Sequence, residues 1–265
     1  MGIPQLNIFD QSIDTLIEKD KLASILRTPT APHERVSEIY KFVDTLHVAS
    51  SIIAAAKAAG LENFRLLNAA GTKSEGNKGV HFVTFATGIF FRGGELTVTM
   101  RNSCDGLSSF LLWVGALVLL CKNGLRGCVA IVEPERIVHK GLTYEKLTAA
   151  LKASFEKMYA FGTYLEKLQS INLTPEQHSE FLKKALEIRG LSDVSPEYTT
   201  IDKARRVEDL GTSAWAVLNR VQENLTKGFT TVQGGKVKQI QALRSPKSDF
   251  LMNVNLMDAI HKIVA

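Results

Sequence analysis

The stretch Thr97–Val132, "TVTMRNSCDGLSSFLLWVGALVLLCKNGLRGCVAIV", carries the pattern on which the fold turns. It opens inside "ELTVTMRNS", where Leu96, Val98 and Met100 alternate with Thr97, Thr99 and Arg101. Alternation with period two marks a strand with two unlike faces. "ALVLLC" and "LRGCVAIV" read as two further strands joined at Asn123-Gly124, a dipeptide suited to a two-residue hairpin turn. Upstream, "FRLLNAA" and "VHFVTFATGIFF" add two more, the second turning at Arg92-Gly93-Gly94. Up to five strands thus lie between about residues 62 and 138. Their short connections predict an antiparallel meander.

Helical spacing brackets this region. Ile13 to Leu26 has an apolar period near 3.6, and a second helix is predicted from Glu34 to Ala59, ended by Gly60. After the strands, Leu147, Leu151, Phe155, Met158, Phe161 and Leu165 form one stripe behind a Thr143 cap. Thr174-Pro175-Glu176-Gln177 opens the next helix, Ser213 to Thr226 is another, and Asp249 to Val264 closes the chain. Between the last two, "FTTVQGGKVKQ" reads as a flexible basic segment. The class is α+β: an antiparallel β-meander of about five strands packed by N-terminal and C-terminal helices. Residues 1–60 read as a helical segment and 61–265 as the α+β core, with one continuous domain as the alternative.

Composition places the chain among soluble globular proteins, with 45% hydrophobic and 22% charged residues. The N-terminus lacks the basic and apolar regions of a secretory signal, and the apolar run Phe110–Cys121 is too short to cross a bilayer. Three cysteines, an odd count, point to reduced thiols and a cytoplasmic setting. No nucleotide-binding loop or metal-ligand spacing occurs, so no cofactor and no metal are expected.

Charge is distributed unevenly. Between Asp202 and Lys247 stand nine basic residues and four acidic ones, the whole +5 excess of the chain. Concentrated positive charge is what a polyanionic partner requires, although a solvated basic surface has the same composition. Two clusters bear on this. In "RNSCDG", Arg101 and Ser103 point to one face with Thr97 and Thr99, while Asn102 and Cys104 point to the other. The cluster is either a turn closed by an Arg101–Asp105 pair or one wall of a phosphate-binding surface. Ser103, His139 and Asp105 also hold the residue types of a hydrolytic triad, at a spacing more typical of turns. In "WAVLNRVQENLTKG", Trp215, Leu218, Val221 and Leu225 make an apolar stripe beside a band of Asn219, Arg220, Gln222, Glu223 and Lys227. That band either bonds to the scaffold or faces a ligand.

Taken in order, "MRNSCDG", "LVLLCKNG", "VHKG" and "WAVLNRVQENLTKG" resemble a family of phage- and plasmid-encoded proteins that carry a domain of unknown function. Arg101, Asn102, Ser103, Asp105, Cys121, Asn123, His139, Gly141, Asn219 and Glu223 fit its pattern. Val138 stands where the family usually has a basic residue, and Leu107 where it usually has Ser. The resemblance implies a gene on a bacteriophage or mobile element and a protein of the host bacterial cytoplasm.

These readings converge on a nucleic-acid-binding protein of phage replication or recombination, binding or annealing single-stranded DNA as a homo-oligomer, without a membrane. Arg101, Asn102, Ser103, Lys140, Arg220, Lys227, Lys236, Lys238 and Arg244 are the candidate contacts, with Phe82, Phe85, Phe90 or Phe91 as stacking platforms. Arg101 is expected to share an open face with the late basic helix. Two alternatives stand beside this: an enzyme acting on nucleic acid or nucleotide through Asp105, His139 or Glu223, and an inhibitor of a host protein.

Overall fold

The structure, a computed structural model, describes residues 32–71, 79–92, 94–118, 123–126 and 133–265. The chain divides into two compact units, one of Met1–Leu120 with Pro134–Tyr159 and one of Cys121–Glu133 with Ala160–Ala265. The predicted Ile13–Leu26 helix, Cys121, Cys128 and most of the "GTKSEGNKG" loop lie outside the described residues.

The first unit is built on the antiparallel sheet that the alternation foretold. Strands β1 (Arg65–Gly71), β2 (Val80–Phe91), β3 (Gly94–Ser103) and β4 (Phe110–Val118) pair in sequence order. Asn123 and Gly124 open the short strand β5 (Asn123–Arg126), not a tight turn. Strand β6 (Glu135–Ile137) pairs antiparallel with the start of β4. Strands β2 and β3 are buried nearly throughout, so threonines fill one face where an exposed polar surface was expected. Thr97 and Thr99 are each 1% exposed, and the Thr84 and Thr99 hydroxyls lie 3.1 Å apart. At the far end of β2 the register shifts between Ala86 and Phe90. The buried Glu95 carboxylate serves that irregularity: it accepts from the Gly88 amide at 2.8 Å and clamps both Nη atoms of Arg65 at 2.9 Å.

Helix α1 (Thr45–Ala58) is tied to the sheet by Thr45, which meets His81 of β2 and Asn102 of β3, and Phe155 of α2 (Tyr144–Ser170) meets edge-on the Phe64 ring that stacks on Phe85. The helix predicted from Glu34 begins only at Thr45. Asp44 caps it, accepting from His47 N at 2.9 Å. Residues 33–43 instead spend their polar groups on the end of the sheet: His33 N donates to Cys104 O, and Val43 O accepts from Asn102. A helix there would draw Val43 O into its own ladder and take these partners from Asn102 Nδ2 and Cys104 O.

The second unit gathers helices around α4 (Ala214–Lys227). Helix α3 (Pro175–Ile188) starts in the capping box read from the sequence, with Thr174 and Gln177 exchanging side-chain and backbone bonds. Both α3 and α4 pack against α5 (Pro246–Val264). Between α4 and α5 the "FTTVQGGKVKQ" segment is a hairpin, β7 (Phe229–Gln233) and β8 (Lys236–Ile240), turning at Gly234-Gly235 with both φ positive. Among the described residues no helix is long and apolar enough to cross a membrane, and no cluster of side chains has the makings of a metal site.

Candidate functional site

In the first unit the "RNSCDG" cluster ends β3 and is held on all sides. Asn102 donates from Nδ2 to Val43 O and to Thr45 Oγ1, both at 2.9 Å, and Thr45 Oγ1 lies 2.8 Å from His81 Nδ1. Ser103 Oγ donates to Asp105 Oδ1 at 2.6 Å, and Asp105 also accepts from Leu107 N and from Arg35 Nη2. The carboxylate of Asp105 therefore pairs with Arg35, not with Arg101 as the turn reading supposed. Tyr40 OH donates to Ser103 O, and burial pushes its phenol well above the ordinary tyrosine range. Burial likewise pushes the Cys104 thiol up to about 11, reinforced by the carboxylates of Asp44 and Asp105 and opposed by a hydrogen bond with Thr45.

His139 is brought to the same corner. Its ring stacks on Tyr40 with centroids 4.6 Å apart, and Nδ1 lies 3.1 Å from the Lys41 carbonyl. A carbonyl only accepts, so Nδ1 carries the proton and Nε2 a lone pair. That Nε2 is buried with no hydrogen-bond partner among the described residues, and burial holds the imidazole below its usual pKa, hence neutral at pH 7. With Ser103 bonded to Asp105 and His139 to Lys41, the Ser103–His139–Asp105 relay is not assembled. A cavity of about 180 Å³ opens beside His139, lined by Ser37, Tyr40, Ser108, Ser109 and the exposed Lys140, among others. Asn102 and Ser103, both candidate contacts, are fully buried and act as ties. Arg101 is half-buried, with Nε and Nη2 each 3.4 Å from Ser109 O.

Helix α4 corrects the second cluster. Eleven of its 14 residues are buried, including Asn219, Arg220, Gln222, Glu223 and Asn224. Its polar band is the inside of the unit. Asn224 donates to the carbonyls of Ile201 and Lys203 at 2.8 and 2.9 Å, and Gln222 to Asn253 Oδ1 at 3.0 Å. Arg220 is 7% exposed; it pairs with Asp202 and donates to the Asp209 and Gly211 carbonyls. It is therefore no phosphate contact, since every direction of its fork is occupied within the fold. Glu223 is shared by Arg206 and Lys227, which removes it as a candidate acid or base and commits Lys227 to an ion pair. Burial raises the carboxyl of Asp209, which lies beside Arg206 and near Glu223.

The remaining cations of the basic stretch behave differently. Lys236, Lys238 and Arg244 are exposed and make no ion pair among the described residues. Two of them stand on β8. Near the hairpin tip a cleft of about 480 Å³ is lined by Asp193, Tyr198, Val232, Gln233, Gly234 and Gly235, among others. Tyr198 is 56% and Val237 74% exposed. Of the predicted stacking aromatics, Phe82, Phe85 and Phe91 are core and only Phe90 is exposed. The composition of the sequence offered no way to single out Tyr198; the apolar-Gly-Gly-basic rhythm of 232–237 is the signal that would have revealed the hairpin beside it.

A family model described as "Domain of unknown function (DUF932)" matches residues 32–256, taking in both clusters. Two proteins of Escherichia coli (strain K12), UPF0380 protein YafZ and UPF0380 protein YfjQ, are each 29% identical over 175 residues. Each alignment covers 61% of this chain and 62% of the relative, so less than two thirds of each relative is spanned. No solved structure matches.

Proposed function

The chain belongs to the DUF932 family, and from that premise we propose that it is a non-enzymatic nucleic-acid-binding protein of a phage or other mobile element, engaging single-stranded DNA in the bacterial cytoplasm. The observation that carries the reading is the pairing of Tyr198 with the β7–β8 hairpin: an exposed aromatic ring beside a ribbon bearing Lys236 and Lys238, neither committed to an ion pair among the described residues. Single-strand binders combine such parts, cations that follow the phosphates and rings on which bases stack irrespective of sequence. Arg244 and Lys247 extend the exposed positive charge beyond the hairpin. Binding along a strand favours assembly of several copies, and a homo-oligomer is part of the proposal.

The test is a mobility shift with single- and double-stranded DNA over a salt series. The logarithm of affinity for a single strand falls with the logarithm of salt by about 0.7 per phosphate neutralised. Lys236→Ala with Lys238→Ala should flatten the slope by about 1.4. Tyr198→Ala should weaken binding by a similar factor at every salt concentration and leave the slope alone. Binding that does not depend on salt, or no binding to either DNA, defeats the proposal. The exposed Val232 and Val237, paired across the hairpin, favour a protein partner as the second reading. Capture of a host protein that is lost with Val237→Lys, without any DNA shift, would favour it.

A further inference from the structure

The most unusual electrostatic feature of the first unit is a pair of arginines with no carboxylate. Arg101 on β3 lies opposite Leu111 on β4, and Leu111 lies opposite Arg136 on β6. Directly opposed residues of antiparallel strands point to the same face, so the two arginines flank Leu111 in one row, two strand spacings or about 10 Å apart at the backbone. Their side chains converge on one residue. Arg101 Nε and Nη2 reach Ser109 O at 3.4 Å, and Arg136 Nε donates to Ser109 Oγ at 3.1 Å.

Neither guanidinium has an acidic partner among the described residues, whereas the nearby acids are committed elsewhere: Asp105 to Arg35 and Glu135 to Lys157. Glu135, adjacent to Arg136 in sequence, points to the opposite face, as alternation along a strand requires. Burial and the charge of Arg136 together lower the pKa of Arg101, the mark of a like-charge contact without a counterion. Arg101 Nη1 and both Nη atoms of Arg136 make no hydrogen bond among the described residues. They form a fork of unused donors, the arrangement that planar guanidinium groups offer to oxyanions.

We propose that this corner of the sheet is a binding site for a terminal phosphate group, held between Arg101 and Arg136 over Ser109. The cavity that Ser109 shares with Ser108, Lys140 and His139 measures about 180 Å³, enough for a phosphate and its ester linkage and below the range typical of sites for whole organic ligands. His139 also lines it. The charge of the pair selects the ligand: a phosphate monoester offers nearly two negative charges and three acceptor oxygens to the two guanidiniums, whereas an internal phosphodiester offers one charge and two free oxygens. The chemistry is therefore that of a phosphate monoester, either free inorganic phosphate or the phosphorylated end of a polynucleotide. This site is independent of the hairpin reading.

Isothermal titration of the full chain with inorganic phosphate, in low-salt buffer, tests the site directly. Saturable binding at one site per chain is expected, weakened at least tenfold by Arg136→Ala. Arg136 is exposed, so the variant should melt like the parent; Arg101→Lys, which keeps the charge but loses the fork, should weaken binding as well. A matched pair of oligonucleotides, with and without a 5′-phosphate, identifies the source. A polynucleotide end is indicated if the phosphorylated strand binds at least tenfold tighter and Arg136→Ala erases the difference. Free phosphate is indicated if the two strands bind alike while inorganic phosphate still saturates. The inference is overturned if neither probe saturates, or if Arg136→Ala leaves both affinities unchanged. Loss of lysines on the hairpin would shift both oligonucleotides equally, so the two proposals fail separately.

Discussion

Asn102 and Thr45 join the end of β3 to the first turn of α1 through a hydrogen bond of 2.9 Å, with both side chains fully buried. The amide also holds Val43 O, so one side chain fixes the segment that leads into the helix. Asn102→Ala leaves a buried carbonyl and a buried hydroxyl short of a donor, at about 1–3 kcal/mol for each unsatisfied group. Urea unfolding should report a loss of about 2 kcal/mol or more. A change under half that size would mean the tie is dispensable.

Arg220 offers a sharper contrast between scaffold and surface. Removing it leaves two backbone carbonyls inside the second unit short of a donor, and leaves the part-exposed Asp202 with His178 at 3.1 Å. Breaking such a pair typically costs about 3–5 kcal/mol, and partial exposure of Asp202 places the expected loss at the lower end. Arg220→Ala should lower the melting temperature markedly. In whatever fraction remains folded, the salt slope for DNA should match the parent; a flattened slope with unchanged melting would return Arg220 to the binding surface.

Alkaline pH should weaken the fold through the corner around Tyr40. Cys104 has its pKa raised to about 11, chiefly by burial, and Tyr40 is raised too. Acids whose folded pKa is raised hold their protons in the native state after the unfolded chain has lost them. Their contribution is complete below the unfolded pKa, near 9 for the thiol, and disappears as pH climbs through the folded one. Unfolding free energy should fall by on the order of 2 kcal/mol between pH 9 and 11, and Cys104→Ala should blunt the decline. A thiol reagent should leave Cys104 unlabelled at neutral pH until the chain unfolds. Rapid labelling of the native protein would contradict this placement.

Gly228 ends α4 with φ at 93°, where a Cβ would stand 2.5 Å from Ile240 O and 3.1 Å from Ala242 N. Both the backbone region and the space exclude a side chain. Gly228→Ala should destabilise the second unit by more than about 1 kcal/mol, with Gly235→Ala milder because open space surrounds that position. Paired thermal melts would show the order; equal losses would refute it.

Much of this was legible in the residues. Alternation in β3 and the long apolar stripe of α2 survive folding because period and burial agree, and the Thr174–Gln177 box acts locally, needing no tertiary context. What failed to show was burial of polar groups. Thr97 and Thr99 looked like a wet face, and Arg220 like a surface cation, because a sequence records a side chain's polarity without recording its partner. The start of α1 was hidden for the same reason: Asn102 and Ser103, some sixty residues downstream, take up the polar groups of residues 40–43. Arg101 and Arg136 stand 35 positions apart and become neighbours only through the register of β3, β4 and β6.

The enclosure of α4 on nearly every side carries a consequence for genetics. Changes at Asn219, Gln222 or Asn224 would not yield a full complement of defective molecules. They would enlarge the fraction that cellular proteases clear, so their phenotype would be a shortage of protein, dependent on temperature and relieved by chaperones or a lowered growth temperature. Screens that score abundance alongside activity would separate these positions from Lys236 and Lys238, where amount stays constant and only performance drops.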